Sequence, residues 1–158
     1  MLFEKKLKKD VKGFTLIEIL LVIALIAILA GITIIAINPA RQYNQSENTQ
    51  RQSHINSILN AVTQYAVDNN GSVPPDIPIA TDCAVSTSYQ ICRQGVTCSI
   101  GVDLSPLTAS ETYLVSIPVD PESTSTEGTG YNIIKSANGR ITVCAPLAEL
   151  GETISVTR

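Results

Sequence analysis

The sequence predicts an α+β fold: one long N-terminal α-helix packed against a small antiparallel β-sheet head. Three observations predict it. Phe14 to Ile37 is a 24-residue apolar run carrying one charge, Glu18. Ile55, Ile58, Leu59, Val62, Tyr65 and Ala66 then recur at helical spacing on one face. From Ser72 onward, short apolar runs alternate with turn residues. A length of 158 residues supports one modest core rather than two.

Residues 1–13 are polar and read as a leader outside the fold. They hold five lysines against two acidic residues, a net charge of +3, whereas residues 14–158 hold six basic and twelve acidic residues, a net of −6. Lysines ahead of an apolar run mark a cytoplasmic flank. The acidic remainder argues against a general affinity for nucleic acid, and none is expected as a partner.

Residues 14–37 form the membrane-spanning element. As a helix they reach about 36 Å, enough to cross a bilayer. A secretory signal has a shorter apolar core of roughly 7 to 15 residues. The β-branched residues are no obstacle, because lipid forces the backbone to satisfy itself. Gly31 and Pro39 weaken the outer end, by lost propensity and a missing donor, so a kink or melted stretch is expected between them. Residues 38–70 continue as an amphipathic helix whose stripe must cover a partner surface. Asn69-Asn70-Gly71 and Pro74-Pro75 stop it. The two halves are expected to make one helix of roughly 50 residues.

Residues 71–158 form the β-rich extracytoplasmic head. Tyr113–Ile117 is an apolar run ahead of Pro118. Tyr131–Ile134 and Arg140–Cys144 flank Asn138-Gly139 and read as a β-hairpin. Ile154–Val156 is a further short strand. The head carries Cys83, Cys92, Cys98 and Cys144, separated by 8, 5 and 45 residues. An even count in an exported domain predicts two disulfides, and these spacings fit no common zinc pattern. Cys92 with Cys98 and Cys83 with Cys144 is one pairing; pairing of Cys83 with Cys92 stays open.

The chain is not expected to be an enzyme or to need a cofactor. His54 is the only histidine and sits among polar helical neighbours. There is no Gly-rich phosphate loop, and no Ser or Thr stands in a nucleophile context. The five tyrosines are scattered and read as packing residues.

At the head of the apolar run stands Lys12-Gly13-Phe14-Thr15-Leu16-Ile17-Glu18. With the basic leader and the uncharged residues that follow, this string resembles the class III signal of type IV prepilins and type II secretion pseudopilins. The resemblance covers residues 1 to about 40 firmly, extends more loosely along the long helix to residue 70 and is architectural beyond, so the expected fold is pilin-like. It implies cleavage between Gly13 and Phe14 by a membrane prepilin peptidase, which then N-methylates Phe14. It implies that Glu18 pairs with the N-terminal amine of Phe14, in a neighbouring subunit or in its own. Opposite charges 4 Å apart attract by about 4 kcal/mol at an effective dielectric of 20. The bland alternative is a carboxylate that snorkels to the headgroups.

Ile117-Pro118-Val119-Asp120-Pro121 and Gly128-Thr129-Gly130-Tyr131 resemble the late loop of some pseudopilins. Some of these bind calcium there, which makes Asp120, Glu122 and Glu127 weak oxygen-ligand candidates. The spacing is not that of an EF-hand, and a solvated acidic loop with no metal is the favoured reading.

The resemblance implies a structural subunit of a type IV pilus-like filament serving adhesion, motility or DNA uptake. The alternative is a pseudopilin of a type II secretion system; a third reading is an anchored binding domain that never polymerises. Implied partners are copies of the same subunit, other pilins, the prepilin peptidase/methyltransferase, a membrane assembly platform and the bilayer before assembly. The implied location is a single-pass membrane protein with a cytoplasmic N-terminus, then a cell-surface or periplasmic filament.

Overall fold

The structure is a computed structural model that describes residues 13–158. The leader therefore lies outside the described residues, apart from Gly13. The chain divides into two units, one ending at Pro39 and the other spanning Ala40–Arg158.

In the first unit, helix α1 spans Leu16–Ile37, 22 residues. Thr15 caps it: its side-chain oxygen accepts from the Glu18 amide at 3.3 Å. Thr15 and Glu18 stand at the spacing of a capping box, so two of the polar groups in this run lie at the helix start. The helix passes through Gly31 without interruption and ends at Asn38, which has φ 47° and ψ 77°. The sequence led us to expect one helix of roughly 50 residues with a kink or melted stretch between Gly31 and Pro39. The structure has two helices, and the break falls inside that interval, at Asn38, for two reasons. A residue before proline is pushed out of the helical region, and Asn tolerates the left-handed conformation that closes a helix.

In the second unit, helix α2 spans Pro39–Asp68, 30 residues. Pro39 at its first position gives up a donor that has no intrahelical partner anyway. Its buried face runs through Glu47, Asn48, Arg51, Ile55, Ile58, Leu59, Ala61 and Val62. The helix ends where Asn69 Nδ2 donates to the Tyr65 carbonyl and the Gly71 amide to that of Ala66, with Asn70 and Gly71 at positive φ.

Four strands follow in a meander of order β1-β2-β3-β4, all antiparallel: β1 Gln90–Cys92, β2 Gly128–Lys135, β3 Ile141–Ala145 and β4 Ile154–Thr157. The expected hairpin is β2–β3, with Ile133 opposite Val143, and Gly139 supplies the positive φ its turn requires. β1 is a strand the sequence did not announce, too short to display alternation. The run Tyr113–Ile117 stays outside the sheet; it follows a turn with Ser110 and Glu111 at positive φ and sends Ile117 into the core. A one-turn helix, α3, spans Ser105–Thr108 just before it.

The core joins α2 residues Ile55, Ile58, Leu59 and Val62 to Tyr131, Ile133, Val143 and Ile154 of the sheet. Cys83, Ile134 and Cys144 form a second, smaller cluster with Ala80 and Tyr89 against it. Strand β2 is buried at seven of its eight positions for this reason. Burying one large aliphatic side chain contributes about 1.5–3 kcal/mol. Ile58 is fully buried at the helix–sheet contact, so Ile58→Ala is expected to cost about 2–5 kcal/mol of unfolding free energy in denaturant titration. A loss below about 1 kcal/mol would contradict the packing.

Candidate functional site

Two places carry chemistry: the start of α1, and a polar cluster where α2 meets two loops of the head. At the first, Gly13 has no heavy atom within 4 Å of where a Cβ would stand, and Phe14 is 80% exposed. Among the described residues nothing covers the Gly13–Phe14 bond. No residue of α1 is buried. Leu20, Leu21, Val22 and Ile23 are consecutive and so point to four different sides of the helix, yet each is exposed. The helix has the length and composition to cross a membrane. A helix apolar on every side is stable only in lipid or among other helices. Glu18, also exposed, is the sole carboxylate on it.

At the second place, Arg51 is completely buried although it is charged. Its Nε donates to Asp120 Oδ2 at 2.9 Å and its Nη2 to Asp120 Oδ1 at 3.3 Å, a two-pronged pair. Nη1 donates to Asn48 Oδ1 at 3.0 Å and Glu149 Oε2 at 3.1 Å, and Nη2 also to Glu122 Oε2 at 3.3 Å. Glu47 Oε2 lies 3.5 Å from Nη2. Hydrogen bonds to these carboxylates outweigh burial and push the guanidinium further up from its ordinary value. Asn48 fastens the second loop, accepting from the Glu149 amide and donating to the Glu149 carbonyl. Leaving a buried charge unpaired costs typically about 3–5 kcal/mol, so this cluster clamps both loops to α2.

Gly130 is required beside it. It has φ 88°, and a Cβ there would come within 2.7 Å of the Asp120 Cβ. Next to the cluster, the buried Tyr131 phenol meets His54 Nδ1 at 2.7 Å, donating to it in the tautomer whose proton is on Nε2.

The three weak calcium candidates do not come together. Asp120 and Glu122 surround Arg51, whereas Glu127 accepts from the Ser99 amide and hydroxyl, which hold its carboxyl below the ordinary range. The cysteines pair as Cys83–Cys144 and Cys92–Cys98, with Cα–Cα distances of 6.2 and 5.8 Å. The first closes 61 residues and ties the loop over β2 to β3. Sequence reasoning missed Arg51, Glu47, Asn48 and Glu149. The available signal was Glu47-x-x-x-Arg51, which continues the Ile55–Ile58–Val62 stripe one and two turns earlier.

His54 gives a pH test. Burial lowers its pKa below the ordinary value, against an opposing pull from Asp120. The unfolded chain therefore binds the proton more readily than the folded one. Stability should be full above about pH 6.5 and fall as pH drops below it. Denaturant titrations from pH 7.5 to 5.5 should give a slope that His54→Gln reduces; an equal slope in both proteins would contradict the burial.

Comparison with known proteins adds to this geometry. Residues 8–34 match the family model described as the prokaryotic N-terminal methylation motif. Over 62 residues the chain is 40% identical to the type IV wide pilus major component PilA4 of Thermus thermophilus. That match covers 39% of this chain and 46% of the relative, so it spans about half of the relative's length. No solved structure matches the chain. The chain thus carries a prepilin-type N-terminal methylation motif on an apolar helix exposed on every side, followed by a pilin-like α+β head.

Proposed function

We propose that this chain is a structural subunit of a type IV pilus-like filament, assembled through α1. One observation carries the reading: an apolar helix with no buried residue begins beside an accessible Gly13–Phe14 bond and bears a single carboxylate one turn in. Residues 1–13 are the leader that prepilin peptidase removes on the cytoplasmic side, and Phe14 becomes N-methylated. Gly13 admits the extended backbone a protease needs. Cleavage discards the lysines and keeps the whole anchor. Residues 14–37 hold the subunit in the bilayer with its N-terminus inside and its head outside. They later exchange lipid for other copies of α1 in the filament core. Residues 38–70 lead into the head, and residues 71–158 coat the outside.

Glu18 supplies axial register. A carboxylate in an apolar helix is costly in lipid, by about 2.5–3.5 kcal/mol at the bilayer centre and less near an end. Pairing with the new amine of Phe14 in a neighbouring copy offsets that cost. The work of the protein is then mechanical, with partners that are other pilins, the peptidase and an assembly platform, and no reaction is catalysed. The relative's description as a type IV pilus component supports a pilin-type structural subunit; a secretion pseudopilin is the alternative reading.

Mass spectrometry of the mature chain should find N-methyl-Phe14 at its start. Glu18→Val should insert and be cleaved normally yet fail to enter sheared filaments. An intact leader on assembled chains, or an unchanged filament yield in the variant, would refute the proposal.

A further inference from the structure

We propose that Thr15 is a positioning residue for removal of the leader: as the N-cap of α1 it stops the helix short of the Gly13–Phe14 bond and keeps that bond in the extended form that the peptidase cuts. The inference rests on the filament-subunit reading above and adds to it the residue that presents the bond. In the cut, water adds to the Gly13 carbonyl carbon and the bond to the Phe14 nitrogen breaks. Gly13 leaves as a carboxylate. Phe14 keeps the electron pair, takes up a proton and becomes the new amine.

The helix starts close to this bond. Thr15 has φ −79° and ψ 150°, an extended backbone, and Leu16 is the first helical residue. The Thr15 carbonyl is the first to enter the helix, accepting from the Glu18 amide at 3.2 Å and the Ile19 amide at 3.3 Å. Its hydroxyl also accepts from the Glu18 amide, at 3.3 Å. Gly13 and Phe14 lie ahead of the cap, outside the helix. Only Phe14 therefore separates the cap from the bond to be cut. A helical residue spends its amide and carbonyl inside its own helix, whereas a cleft that binds main chain needs both free on an extended strand.

The role of the hydroxyl follows from where the helix goes without it. Unwinding inward bares main-chain groups of an apolar segment to lipid, which offers them no partner. Growth outward is open. Phe14 is apolar and exposed, nothing crowds Gly13, and glycine is itself an acceptable N-cap. A helix capped at Gly13 takes Phe14 as its first helical residue and draws the bond into its first turn. An apolar residue in place of a threonine cap shifts the balance between the two starts by about fivefold. A substrate that is competent for only part of the time has its KM raised by the inverse of that fraction, while kcat stays the same.

The test follows cleavage of the full-length precursor by a prepilin peptidase, both in detergent, over a range of precursor concentrations, with the new N-terminus read by mass spectrometry. Thr15→Val has nearly the same shape without the acceptor, and should raise KM by about two- to fivefold with kcat unchanged. Thr15→Ser and Thr15→Asn cap at least as well as threonine and should keep a KM no higher than that of the unaltered chain. Without the enzyme, the Phe14 backbone carbon shifts in micelles should turn helical in Thr15→Val and in neither of the other two. A Thr15→Val KM equal to that of the unaltered chain, or a Phe14 that stays extended in it, overturns the role of Thr15. So do serine and asparagine variants cut as poorly as the valine one, because the enzyme then reads the threonine itself. An unaltered chain left uncut at Gly13–Phe14 overturns instead the filament reading on which the inference stands.

Discussion

An aliphatic surface with nothing over it constrains this molecule more than any other feature. Leu16 to Ile37 leaves every side chain exposed, and each large one that finds a cover contributes about 1.5–3 kcal/mol. Water cannot be the resting environment of such a helix. Lipid can, and so can a bundle of identical helices. The chemistry at the N-terminus fits a protein that uses both in turn. In the proposed sequence of events, the polar segment that anchors the helix in the membrane is the one that is cut away. The single carboxylate is tolerable near an interface and useful only where a counter-charge meets it. Asn38 and Pro39 end α1 where its apolar character ends, which separates the covered helix from a head that must stay in water.

The head solves a different problem. A small sheet has to be covered on both faces with few residues. Helix α2 covers one face, and the loop through Cys83 covers the other, held by the bond to Cys144. In the chain-entropy account, closing a loop of 61 residues contributes about 4 kcal/mol. The N-terminal half of α2 carries Arg51, and two irregular loops fold onto that one guanidinium. Irregular loops bury little apolar surface, so a charged clamp with directional bonds does what packing does elsewhere.

Much of this was legible in the sequence, where the signals are local and periodic. The length and purity of the Phe14–Ile37 run specify a helix by themselves. The stripe from Ile55 to Tyr65 specifies the buried face of α2, and Asn138-Gly139 specifies the hairpin between β2 and β3. The Arg51 cluster was not legible, because its members lie 47 to 149 in the chain and only the fold brings them together. A charged residue on a buried stripe reads as a solvated one until its partners are known. Three-residue β1 was equally silent, since its place is set by pairing with β2 rather than by its own pattern. The helix break falls at the proline end of the Gly31–Pro39 interval that the sequence marks. The residue before proline decides the matter, since its backbone has no comfortable helical conformation.

The central claim is that α1 ends its journey against other copies of α1. A photo-activated cross-linking residue placed at Ile26, midway along α1, tests this directly in purified filaments. The account predicts dimer-sized adducts in which the second attachment also maps to residues 14–37 of another copy. Adducts confined to lipid, or to residues of the head, would contradict it.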